Sequence, residues 1–393
     1  MAGQGSAAER QTAGLRGRRQ ADDGGDRRTD RRGVRVCPLV SVPGVSARRR
    51  SGAMKFREAV RDGTIQAMDN DPTVFLIGVG IIDPRAVWGT LSGALEKFGP
   101  DRVVEGPLAE NALTGICVGA ATFGMRPVLV HHRIDFVMLT MDQLVNHAAK
   151  WPAMFGRQQT VPLVVRAVVG RGWGNGPQHT QSHHAIFSHI PGLKAVVPSN
   201  PRDAKGLLIA AIEDEEPVIY IEHRWLHEDD AEVPAEYFST PIGRAAVVRP
   251  GRDVTVVAVG PMVSESLKAA HALEQTGVSA EVIDVRTLRP LDSETILASV
   301  GKTGRLVVAD SDWSPCGIAG EVIARVAETA FDALKARPVR VTWPDSPVPS
   351  SETIEAQFYP GAREIQVAAT RVCESRADKG VVPSTVKHFE GPF

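Results

Sequence analysis

The chain predicts an α/β protein of two domains, and three observations carry that prediction. Apolar runs of five to ten residues, continuous rather than alternating, recur along it: Thr73–Gly78, Val161–Gly170, Pro217–Glu222 and Val254–Gly260. Segments of helical period separate them, the pattern of a mostly parallel sheet covered on both faces. An acidic, proline-punctuated stretch at 226–243 divides the array into a larger and a smaller half.

Taken in order, residues 1–53 hold twelve Arg, no Lys and five acids, a charge of +7 against −8 for the remainder. This leader lacks the apolar core of a signal peptide and is expected to be disordered. An upstream start wrongly chosen is the alternative reading; a transit peptide is disfavoured by its four Asp. Folding is expected to begin at Met54. Helices are predicted over 54–69, 87–98, 109–123 and 136–151, with strands at 73–78, 102–106, 127–132 and 161–170. A strand at 194–198 precedes Asn200-Pro201, a capping side chain followed by Pro at the first helical position, which starts a helix running to Glu213. Strand 217–222 closes the first domain, 54–225. Past the linker, strands at 254–260, 280–285, 305–310 and 339–342 alternate with helices at 264–276, 292–300 and 317–330 in a domain over 244–372. Residues 373–393 form a polar tail.

Composition excludes more than it selects. Hydrophobic content is 43%, charged content 23% and net charge −1, ordinary values that give no argument for nucleic acid. No apolar run reaches the roughly 18 residues that span a bilayer. Cys37, Cys117, Cys316 and Cys373 are too scattered for a disulfide framework or a zinc ribbon, which fits a reducing cytoplasm.

Two segments carry chemistry. Gly170-Arg-Gly-Trp-Gly-Asn-Gly-Pro-Gln-His179 has too many glycines for a helix or a flat strand. It predicts a turned loop holding His179 at the end of a buried strand, where open α/β sheets handle ligands; taken alone, a glycine-rich surface loop with an incidental histidine fits equally well. Upstream, Glu110 falls in the first turn of a helix with apolar neighbours, compensated by the helix dipole and suited to proton exchange where it is desolvated. An ordinary N-terminal Glu is the plain alternative. Gly115 and Gly119 on one face of that helix predict close approach of another helix across a subunit interface. His179, His183, His184 and His189 lie outside the spacing of catalytic zinc sites, and no metal ligand set is expected.

Glu110, Phe136, Asp142-Gln-Leu-Val-Asn146, Gln178-His-Thr-Gln181, Pro191-Gly-Leu-Lys194, Asp203-Ala-Lys-Gly-Leu207 and Arg286-Thr-Leu-Arg-Pro-Leu-Asp292 occur in one ordered set. The set resembles the β subunit of thiamine-diphosphate-dependent 2-oxoacid dehydrogenases of the pyruvate and branched-chain type, within the transketolase superfamily, over about 54–372. The resemblance implies a transketolase-like pyrimidine-binding domain followed by a transketolase C-terminal domain. It places Glu110 against N1′ of the cofactor's aminopyrimidine, Phe136 on its ring, and Leu108 and His132 at flanking contacts. His179 matches a histidine that orients substrate or moves protons.

The family's Gly-Asp-Gly motif, with an Asn some thirty residues later, binds diphosphate through Mg2+ and is absent here. The resemblance assigns it to a separate α subunit in an α2β2 assembly, without which this chain is inactive; a lipoyl acyltransferase core is a further expected partner. Half of a split transketolase-like or acyloin-forming enzyme, or a catalytically silent partner subunit, are the alternatives. The chain departs from the family where Val79-Gly80 replaces the usual acid after the first strand. It departs again at His131-His-Arg-Ile-Asp135, which with Arg171 and Trp173 suggests a larger or more hydroxylated substrate.

Overall fold

The apolar runs of the first half line up as one sheet. In the computed structural model, which describes residues 52–83 and 85–374, β1 (Gly52–Lys55) leads into α1 (Phe56–Asn70). Then follow β2 (Val74–Gly78), α2 (Ala94–Phe98), β3 (Val103–Glu105), α3 (Glu110–Thr122), β4 (Arg126–His131), α4 (Trp151–Met154) and β5 (Val164–Val169). The series ends with α5 (His184–His189), β6 (Lys194–Val196), α6 (Pro201–Glu213) and β7 (Val218–His223). The strands order β6-β7-β5-β4-β2-β3, all parallel. Strands β5 and β7 are buried along their whole length, as expected of a sheet covered on both faces.

The second half contains β8 (Asp230–Val233), β9 (Ala246–Arg249), β10 (Val254–Ala258), α7 (Met262–Glu274), β11 (Ala280–Asp284) and β12 (Thr287–Arg289). It continues with α8 (Ser293–Thr303), β13 (Leu306–Trp313), α9 (Ile318–Ala330), β14 (Val339–Trp343), α10 (Glu352–Phe358) and α11 (Ala362–Glu374). Strands β14-β13-β10-β11 run parallel, with β9 antiparallel on the edge. Strand β12 leaves this sheet and pairs antiparallel with β6, covering an open edge of the larger one.

Several elements differ from the sequence reading. Gly52 and Ala53, assigned to the leader, pair with Val233 and Glu232, so part of the expected linker is strand β8. The rest of the leader and residues 375–393 lie outside the described residues. Helix 87–98 shrinks to α2, because Val87, Trp88, Gly89 and Gly93 adopt left-handed backbone (φ 50°, 58°, 89° and 84°) and turn the chain instead. The predicted helix 136–151 is a 3-10 stretch, Ile134–Thr140, then a π-type turn, Asp142–Ala148; such departures cluster at functional sites. The Asn200 side chain does cap α6, accepting the Asp203 N–H at 3.0 Å. No helix among the described residues is long and apolar enough to cross a membrane.

Candidate active site

Parallel register brings the carboxyl ends of β3, β2, β4 and β5 side by side: Gly78 sits opposite both Glu105 and Val130, and His131 opposite Ala167. Strand order reverses about β2, the place where open α/β sheets leave a crevice. The Glu105 carboxylate folds the loop after β2, accepting the Gly80 and Ile81 N–H groups at 2.5 and 3.0 Å.

Glu110 occupies the first turn of α3, whose preceding residue, Ala109, offers no capping side chain. Its carboxylate is partly buried and has no hydrogen-bond or ion-pair partner among the described residues. Leu108, just before it, is 81% exposed. Helix α3 packs against the 134–140 stretch that carries Phe136. The Phe136 ring is 37% exposed and meets His179 edge-on, with centroids 5.4 Å apart and planes at 81°. Asp135 fastens the two segments: its Oδ1 accepts the backbone N–H and side-chain amide of Gln181 at 3.1 and 2.9 Å. Burial raises the Asp135 carboxyl above its ordinary range, although these bonds pull it back.

His132 lies beside Trp88 and Gly80 of the loop after β2. It packs on Trp88 with centroids 5.3 Å apart, and its Nε2 is buried without a partner. Burial, then Arg133 and Arg166, push its pKa down, which keeps the ring neutral. The structure thus brings Phe136 and His179 into contact, sets Leu108 and Glu110 on the adjoining helix start, and turns His132 toward the Trp88 side.

The glycine loop is built as the sequence suggested, for reasons the sequence conceals. A Cβ on Gly170 would collide with the His179 carbonyl, so only glycine lets β5 pass beneath that histidine. Beyond it, the Gly172 N–H donates to Glu355 Oε1 at 2.7 Å, and the Arg171 guanidinium lies 4.1 Å from the centre of the Tyr359 ring. Arg171 stacks on Tyr359 and Trp225, and the charges of Glu265 and Glu355 attract it. Glu355 and Tyr359 hold the loop from some 180 residues away, and no local pattern marks them.

The four histidines of this region part company, with His189 exposed at the end of α5. His179 faces Phe136, and His183 lies against Trp313. His184 is fully buried, bonded through Nδ1 to Ser182 and through Nε2 to Asp310, each at 2.8 Å. Although burial opposes it, Asp310 and Asp312 raise the His184 pKa. This network joins the start of α5 to β13 of the second sheet. No group of three or more His, Cys, Asp or Glu among the described residues is placed to hold a metal ion.

Residues 52–228 match the transketolase pyrimidine-binding domain, and residues 243–365 the transketolase C-terminal domain. The chain is 43% identical to the β subunit of acetoin:2,6-dichlorophenolindophenol oxidoreductase from Cupriavidus necator, covering 81% of this chain and 97% of the relative. It is 39% identical to the mitochondrial pyruvate dehydrogenase E1 component subunit beta-2 of Oryza sativa, covering 86% and 92%. The chain belongs to the β-subunit family of thiamine-diphosphate-dependent 2-oxoacid dehydrogenases, in the transketolase superfamily. A solved split-gene transketolase, described as an inactive β4 tetramer, shares the fold at a TM-score of 0.67 and 23% identity, over 82% of this chain and 99% of that one.

One surface of this family member stands open. On α3, Asn111, Ala112, Ile116 and Gly119 are exposed, as is Phe123 just after the helix, at 91%. Nothing among the described residues lies within 4 Å of a Cβ added at Gly119. Of the small-residue face predicted from Gly115 and Gly119, Gly115 meets the Gln143 side chain, whereas Gly119 is left open among the described residues.

Proposed function

We propose that the chain is the β-type subunit of a thiamine-diphosphate-dependent 2-oxoacid dehydrogenase, an oxidoreductase of the decarboxylating kind that works only with an α subunit. The observation that carries this reading is the unpartnered Glu110 carboxylate on the first turn of α3, beside the Phe136–His179 pair at the carboxyl end of the parallel sheet.

The residues present fit the pyrimidine half of the cofactor. An aminopyrimidine needs a carboxylate for its ring nitrogen and an apolar surface for its face; Glu110, the half-open Phe136 and the exposed Leu108 offer these. The diphosphate half is missing from the sequence, which has no Gly-Asp-Gly motif with a following Asn. That half and its Mg2+ are assigned to the α subunit, with α2β2 as the assembly and the open face of α3 as a contact within it.

When bound, thiamine diphosphate supplies the electron sink for decarboxylation. Glu110 would hold the ring at N1′ and keep a proton there. Phe136 would stack on it, with Leu108 and His132 flanking. His179, tied to Phe136 and braced through Gly170, would orient the substrate and move protons, a role suited to imidazole near neutral pH. The domain limits 54–225 and 244–372 belong to the same reading.

The test is Glu110→Gln in the chain purified with its α partner. Decarboxylation should fall by about 10²–10⁴-fold, the usual worth of a positioned proton-transfer group, while native mass shows the assembly intact. Unchanged turnover would remove Glu110 from the chemistry.

A further inference from the structure

Beside the Phe136–His179 pair the chain builds a ladder of guanidinium and indole groups. Arg133 lies 4.8 Å from the centre of the Trp88 ring, and Arg224 lies 4.4 Å from the same ring and 4.2 Å from that of Trp173. Stacking occupies the faces of a guanidinium and leaves its in-plane N–H donors free. Here those donors are largely unused. Arg133 donates to the His132 carbonyl at 2.9 Å, and its Nε is buried without a partner. The Arg224 side chain makes no hydrogen bond or ion pair among the described residues. Asp135 attracts Arg133 electrostatically but directs its hydrogen bonds to Gln181. By contrast, Arg166 is matched by Glu222 and Arg286 by Asp203.

The ladder borders the site. A Cβ on Gly170 would come within 3.3 Å of Arg133 Nε while striking the His179 carbonyl, so both line the same space. From there the ladder runs outward to Trp173, which is 60% exposed. Both indoles are held on left-handed backbone, φ 58° at Trp88 and 59° at Trp173. That conformation is unfavourable for large side chains and collects at ligand sites.

We propose that Arg133 and Arg224, framed by Trp88 and Trp173, form a subsite for a second anionic group, a carboxylate or a phosphate, at the end of the substrate remote from its keto carbon. This rests on the proposed reading of the Glu110–His179 site and replaces a hydroxylated substrate with an anionic one. A guanidinium fork matches two oxyanion oxygens better than a hydroxyl, and the outward course of the ladder suits a tail rather than the reacting carbon.

The test is calorimetric binding to the assembled α–β complex of three acids that lack a keto group: pentanoate, glutarate and 4-phosphonobutanoate. Either glutarate or 4-phosphonobutanoate should bind at least tenfold more tightly than pentanoate, and which of them gains identifies carboxylate or phosphate. Arg224→Gln should erase the advantage, and Arg224→Lys should restore only part of it. If Arg224→Gln does not assemble, Arg133→Gln carries the same comparison. Equal binding of the three acids, or an advantage that survives both substitutions, overturns the proposal. The readout is independent of turnover, so failure of the complex to decarboxylate any 2-oxoacid would instead count against the catalytic reading.

Discussion

Asp284, at the end of β11, offers a quantitative test of how the two sheets are joined. It is fully buried; its Oδ2 accepts the Ser199 hydroxyl and its Oδ1 the Arg286 N–H at 3.0 Å. Burial, with a smaller contribution from Asp203, raises its pKa from 3.8 to about 7 despite these bonds. The folded protein therefore holds this proton more tightly than the unfolded chain does. The resulting stability is fully present below about pH 4 and is lost as pH rises to about 7. At 1.36 kcal/mol per pH unit, the loss amounts to about 4 kcal/mol.

Asp284→Asn keeps the shape, still accepts from Arg286, and lets Ser199 turn its hydroxyl to accept from the new amide. The raised value already includes the bonds to the charged form, so the neutral amide escapes the whole loss. The variant should thus be more stable at pH 8 by up to about 4 kcal/mol, with an advantage that shrinks by about 2–3 kcal/mol on moving to pH 5. Urea midpoints of wild type and variant at both pH values measure this. Comparing the two proteins removes contributions from other titrating groups, such as His184. An advantage that stays flat between pH 5 and pH 8, or a variant weaker at pH 8, would refute the reasoning.

Other perturbations separate scaffold from site. Glu222→Ala leaves the fully buried Arg166 guanidinium without its carboxylate, 2.8 Å away in the native chain; stability should fall by about 3–5 kcal/mol, read as a large drop in thermal midpoint. Asn200→Ala removes the cap of α6 and should cost about 1 kcal/mol in urea unfolding, with no change in turnover.

Local patterns made much of this protein legible. Continuous Val-rich runs could only be strands buried on both faces, so their number and parallel sense followed from the sequence. Asn200-Pro201 specified the start of α6 through a bond within three residues. Gly170 and the glycines after it announced a loop, since no other backbone tolerates such a density of them. The ordered set from Glu110 to Asp292 identified the family.

What the sequence withheld was decided by contacts between distant segments. Val87 and Trp88 read as the start of a helix, yet the fold holds them on left-handed backbone and the helix begins only at Ala94. Residues 136–151 read as one long helix, but the Asp135–Gln181 bonds accompany a 3-10 and π-type course over 134–148 instead. Strand β12 belongs by sequence to the second half and by hydrogen bonding to the sheet of the first. Arg171 and Arg224 look alike in a sequence; the fold seats both against aromatic rings, but brings Glu265 and Glu355 near Arg171 and, among the described residues, no matching acid near Arg224. Hydrophobic period and turn chemistry act over a few residues and can be read locally. The partner of a buried charge is chosen by the whole chain, and appears only once the chain has folded.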